Sequence, residues 1–125
     1  MRLLLDTHIF LWAIIDSRKL KSNARHILTA ASAVYVSAAS IWELAIKVRL
    51  GKLHGDPLKM AEAIESSGFL ELPVTSQHAA RVALLPSHHS DPFDRLLVAQ
   101  ALVEPLVLVT ADRVLAAYGP TVQVV

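Results

Sequence analysis

A chain of 125 residues is the usual size of one compact domain, here 1–125, and too short for two. With 54% hydrophobic and 18% charged residues it can build a core without staples, and its zero cysteines exclude disulfides, a thiolate zinc site and a thiol nucleophile. The net charge of +1 says little, but residues 1–60 carry nine Lys or Arg against four Asp or Glu, and residues 61–125 carry three against seven.

In chain order, Leu3-Leu4-Leu5 is wholly apolar and ends at Asp6, as expected of a strand buried on both faces. Ile9 to Ile15 follows as a buried helix; it is too short to span a bilayer and too far inside the pattern for a cleaved signal, so a soluble, cytoplasmic protein with no membrane partner is expected. Ser22 or Asn23 can cap a second helix running to about Ala31. Ala33 to Ser37 (AVYVS) is β-branched and aromatic, hence a second strand. A helix from about Ala38 to Leu50 is stopped by Gly51. Asp56-Pro57 opens another helix, to Ser67. Phe69 to Leu72 is a third strand, and Thr75 to Leu85 is helical. After the polar loop Ser87 to Ser90, Asp91-Pro92 starts a helix to about Val103. Leu106 to Val109 is the fourth strand, Ala111 to Tyr118 the last full helix, and Thr121 to Val125 the final strand.

Short apolar strands alternating with helices predict an α/β fold, a mostly parallel sheet covered on both faces. Ligands of such sheets sit beyond the carboxyl ends of strands, where the winding reverses. Asp6 follows the first strand, and Asp112 comes three residues after the fourth; if those strands are neighbours, both carboxylates enter one crevice. Asp6 could equally cap the next helix, and Asp112 could cap the last one beside Arg113.

Glu43 points away from the Ile41, Leu44, Ala45, Val48 stripe of its helix. It could close a capping box from Ser40 or pair with Lys47, yet Trp42, Ile46 and Leu50 make the rest of that helix apolar, and a lone acid there calls for a partner such as a metal. Asp91 reads as an N-cap, leaving Asp94 in the first helical turn, where an acid also suits the dipole. Thr110 adds a hydroxyl able to hold a carboxylate or a water.

Gathered carboxylates repel one another unless hard divalent cations such as Mg²⁺ or Mn²⁺ bind among them. Lys19, Lys21, Lys47, Arg49 and Lys52 are the candidate contacts for a phosphate-bearing partner, although an ordinary solvated surface explains them as well. No HxxxH or HExxH pattern exists among the six histidines. A metal-free cut using His8, His88 or His89 as acid and base is conceivable, while His26, His54 and His78 are most simply helix-surface or loop residues.

The strings LLLDTHIFLWA (3–13), VSAASIWELAIKVRLGKL (36–53), LPSHHSDPFDRLLVAQA (85–101) and LVTADRVLAAYG (108–119) resemble a PIN-domain toxin of the VapC type, nearly end to end and in the right order. This resemblance implies a three-layer α/β/α sandwich with a five-stranded sheet in order 3-2-1-4-5. It further implies a Mg²⁺- or Mn²⁺-dependent endoribonuclease acting on single-stranded RNA, typically a homodimer, held in check by a cognate antitoxin. Asp6, Glu43, Asp94 and Asp112 match the family's catalytic and metal-binding acids; Thr110 matches its usual hydroxyl, and Asp91 is a supporting candidate. The cations named above would then face RNA. A housekeeping RNA-processing enzyme, or a partner-binding domain without activity, keeps the same fold. A receiver domain fails because no lysine follows Lys59, and a nucleotide-binding module fails for want of a glycine-rich turn after the first strand.

Overall fold

Leu3, Leu4 and Leu5 have no exposed surface in the computed structural model, which describes residues 1–125. They form β1 (Arg2–Leu5), followed by α1 (Thr7–Ile14), α2 (Ser22–Ala30), β2 (Ala33–Ser37), α3 (Ala38–Arg49), α4 (Pro57–Ser66), β3 (Leu70–Leu72), α5 (Ser76–Arg81), α6 (Pro92–Val103), β4 (Val107–Thr110) and β5 (Val122–Val124). Two 3₁₀ segments, Val82–Leu84 and Arg113–Tyr118, complete the chain. The strands make one sheet in the order β3-β2-β1-β4-β5, and every pairing is parallel. β1 is central, with Leu5 opposite Val36 on one side and Val109 on the other.

Successive strand residues point to opposite faces, so β1 feeds two cores. Leu3 and Leu5 pack with Ile9, Phe10, Leu44 and Ile64 beneath α1 to α4. Leu4 packs with Leu97, Val98, Leu108 and Leu115 on the other face. The result is the three-layer α/β/α sandwich implied by the sequence, and no helix is long and apolar enough to cross a membrane.

Several boundaries differ from expectation for local reasons. α1 starts at Thr7 rather than Ile9, because Asp6 accepts the Ile9 amide and caps the helix directly after β1. Neither Ser22 nor Asn23 caps α2; Lys21 holds the cap position without a side-chain bond. The expected helix Thr75 to Leu85 splits into α5 and a 3₁₀ turn. Ala111 to Tyr118 is not a full α-helix but the 3₁₀ segment Arg113–Tyr118. That stretch must carry the chain back along β4 to a parallel β5; six residues rise about 12 Å as 3₁₀ but only about 9 Å as α. Gly51, with φ +74°, ends α3 as anticipated.

His78 is the clearest correction, since it is 1% exposed rather than on the surface. Its Nδ1 accepts the Thr75 amide in a reciprocal capping box, and its Nε2 meets the Glu104 carboxylate at the end of α6. The ring therefore clamps the start of α5 to the end of α6, a contact set by tertiary packing and invisible in a two-turn segment. Replacing Leu4 by Ala is expected to lower the unfolding free energy by about 2–5 kcal/mol. Leu84→Ala, at a side chain 77% exposed, should change it by no more than about 0.5 kcal/mol; urea denaturation of both variants checks the contrast.

Candidate active site

The connections leaving β1 and β4 diverge at the centre of the sheet, so the winding reverses between these two strands. The backbone is tied at this point by the Asp6 amide, which donates to the Val109 carbonyl at 3.0 Å. Asp6 is only 4% exposed. Its Oδ1 accepts the Ile9 amide at 2.8 Å, and its Oδ2 accepts the Thr110 hydroxyl at 2.5 Å. Burial raises the Asp6 carboxyl above the ordinary carboxylate range, with Glu43 adding repulsion; Thr110, Ile9 and His8 pull the other way. The Thr110 oxygen also accepts the Asp112 amide at 3.0 Å, which fixes the turn that carries the next acid.

Asp91 caps α6 as expected, its Oδ1 accepting the Phe93 and Asp94 amides at 2.8 and 3.1 Å. Asp94 is thereby seated in the first turn, half-buried. Burial first, then the charges of Asp91 and Asp6, push its carboxyl up to about 7, against an opposing pull from His89. His89 had no assignable role from sequence. Its Nδ1 accepts the Asp91 amide at 3.0 Å, so the neutral ring carries its proton on Nε2. That nitrogen lies 2.9 Å from Asp112 Oδ2 and 3.5 Å from Asp94 Oδ2. One ligand atom from each of these three residues falls within 4.8 Å of the others.

Asp6, Asp94 and Asp112 line a single recess with His8, Trp12 and Ala111. Glu43 sits beside it on α3, near enough to repel both Asp6 and Asp94. Its Oε1 accepts the Thr7 hydroxyl at 2.7 Å, and Thr7 Oγ1 lies 3.0 Å from Ser40 Oγ. Ser40 does not form a capping box with Glu43, since Ser37 is the cap of α3. The pair with Lys47 does form, at 3.2 Å. Nor is α3 apolar all round: Trp42 is 62% exposed and meets Phe93 edge-on at 5.2 Å.

The five candidate cations separate. Lys47 is spent on Glu43, while Arg49 and Lys52 lie exposed at and beyond the far end of α3, about 9 Å or more further along the helix than Glu43. Lys19 and Lys21 line a cleft next to the recess. Thr7, Ser40 and His89 were not recognisable as site residues. Only the hydroxyl directly after Asp6 offered a signal; the others depend on segments brought together by the fold.

A family model described as PIN domain matches residues 3–119. No curated protein sequence matches the chain. Among solved structures the chain is similar to VapBC2 from Rickettsia felis bound to a DNA fragment from their promoter, at 18% identity and TM-score 0.72, covering 100% of this chain and 98% of that one. It is similar to DNA-bound VapBC from Salmonella typhimurium, at 18% identity and TM-score 0.69, covering 100% and 97%. A toxin–antitoxin complex from Klebsiella pneumoniae aligns at 20% identity and TM-score 0.68, covering 97% and 95%. At these identities the likeness is one of fold.

The raised Asp94 carboxyl has a consequence for stability. Between pH 4 and 7 the folded chain, free of divalent cations, holds a proton that the unfolded chain releases, so this group's contribution is full below about pH 4 and lost as pH rises through about 7. The thermal midpoint of Asp94→Asn, measured by calorimetry in chelator, should therefore gain on that of the parent as pH rises across this window. Parallel curves would show that Asp94 titrates normally.

Proposed function

The chain belongs to the PIN domain family, and on that premise we propose that it is a Mg²⁺- or Mn²⁺-dependent endoribonuclease, the toxin of a toxin–antitoxin pair. Family membership supports nuclease chemistry, and the observation that carries the reading is the meeting of Asp6, Asp94 and Asp112 in one recess with Glu43 beside it. The toxin role is supported by the structural neighbours, which are toxin–antitoxin complexes. In this reading the protein works in the cytoplasm as a homodimer, cuts single-stranded RNA, and is silenced by a cognate antitoxin.

The donor set fits a hard divalent cation. It consists of carboxylate oxygens, and each Asp6 oxygen keeps a lone pair after its one hydrogen bond. Negative neighbours hold the Asp94 carboxyl up to about 7, a penalty that positive charge in the recess reverses. Asp6, Glu43, Asp94 and Asp112 would hold the ion. When bound, a divalent cation lowers the pKa of its water and offsets charge building on the phosphate. Thr110 aims Asp6 and positions Asp112 through its amide. Thr7 aims Glu43, and Asp91 seats Asp94. His89 Nε2–H steadies Asp112. Such outer partners fix the orientation of ligands.

The purified protein is expected to cleave single-stranded RNA with Mg²⁺ or Mn²⁺ and to stop with EDTA; cleavage that survives chelation would favour a histidine acid–base mechanism instead. Products should carry 5′-phosphate and 3′-hydroxyl ends, because water rather than the ribose 2′-hydroxyl attacks. Asp6→Asn should abolish cleavage with an equal or higher thermal midpoint, since it removes a buried charge. Thr110→Val should slow cleavage by about 10- to 100-fold. A neighbouring antitoxin gene, and growth arrest on induction relieved by its product, would separate a toxin from a housekeeping enzyme.

A further inference from the structure

The cleft beside the acidic recess has a volume of about 310 Å³ and shares two wall residues with it, Trp12 and Ala111. Its character is the opposite of the recess. Lys19, Lys21 and Arg113 line it, and no acidic side chain does. All three cations are exposed, and none takes part in an ion pair. The loop holding both lysines is fixed from behind by Arg25. Its guanidinium donates to the Ser17 carbonyl at 2.8 Å, the Leu20 carbonyl at 2.9 Å and the Asp16 carboxylate at 2.7 Å. Arg25 thus faces inward, and the lysines are left to face the cleft.

We propose that this cleft holds the nucleotide next to the cut: its base lies against Trp12, and its phosphate sits among Lys19, Lys21 and Arg113. The assignment rests on the nuclease reading for the recess and extends it to how the strand is gripped. Cations without partners bind a phosphodiester, and an indole is a stacking surface that accepts any unpaired base. Trp12 belongs to both walls, so a strand crossing from recess to cleft must pass it. An acidic peptide would satisfy the cations but makes no use of a flat ring, and the carboxylates next door repel it. Paired bases present no free face to Trp12, so the cleft selects a single strand.

The test uses the Asp6→Asn protein, which leaves RNA intact, with Trp42→Phe so that Trp12 alone emits. A single-stranded RNA hexamer should quench that emission on titration. Replacing Lys19, Lys21 and Arg113 together by Ala should reduce the slope of log affinity against log salt by about 2, at about 0.7 per lost phosphate contact. Trp12→Ala should weaken binding about 5- to 150-fold. Should that variant fail to fold, a hexamer of abasic residues tested on the unaltered cleft should show the same loss. Absence of quenching, with an unchanged salt slope in the triple variant, overturns the proposal; cleavage by the wild-type chain would then leave the nuclease reading standing. Quenching by RNA in a chain that cleaves nothing supports the cleft and removes the nuclease. Quenching by poly-glutamate but not by RNA overturns the assignment in favour of an acidic protein partner.

Discussion

Asp6 is buried at the end of β1 with both carboxylate oxygens engaged, one by the Ile9 amide and one by the Thr110 hydroxyl. An unpaired carboxylate at such a depth costs several kcal/mol, and these two bonds offset part of that cost. They also dictate geometry. The first sets the axis on which α1 leaves the sheet, and the second joins β1 to the last residue of β4. Since Thr110 in turn receives the Asp112 amide, one hydroxyl fixes the separation of two acids that are distant along the chain. The rim is thus organised through the side chain that the chemistry also requires.

Around that anchor the charge is arranged by degrees of shielding. Asp94 is crowded by Asp91 and Asp6, and burial together with their repulsion pushes it to about 7. Asp112 and Glu43 each have a companion that tempers them: His89 lies against Asp112, and Lys47 against Glu43. Both companions are drawn from nearby sequence or from a loop pinned by a neighbouring cap, so neither needs a further element of structure. The arrangement concentrates negative potential in the recess while leaving positive potential in the cleft across Trp12. Phosphate and cation are thereby drawn to adjacent places by the same surface.

Much of this was legible in the sequence because it depends on local rules. Three leucines ending at an acid specify a buried strand with a functional rim, and Asp-Pro at 56–57 and 91–92 marks two helix starts where they occur. What escaped is what depends on the fold closing. His78 reads as a surface residue of a short helix until α6 brings Glu104 to it. His89 and Asp112 are 23 residues apart, and their contact exists only after a loop with no periodic pattern has folded. The stretch Ala111 to Tyr118 carries a helical pattern, but the distance it must span between β4 and β5 draws it into the longer-pitched 3₁₀ form. The apolar appearance of α3 misled for another reason: Trp42 is large enough to count as core by type while lying against Phe93 at the surface.

The grip of Arg25 on the segment between α1 and α2 bears on how readily a flexible strand is captured. That segment has neither helix nor ladder bonds to hold it, and Asp16 sits there at φ +50°, a conformation Asp tolerates better than most residues. An exposed pair such as Arg25 with Asp16 contributes little by itself; the hold comes from a planar fork that reaches two carbonyls as well. A lysine could not reproduce that fork. Because the segment is already ordered before anything arrives, the entropy lost on association falls mainly on the incoming chain.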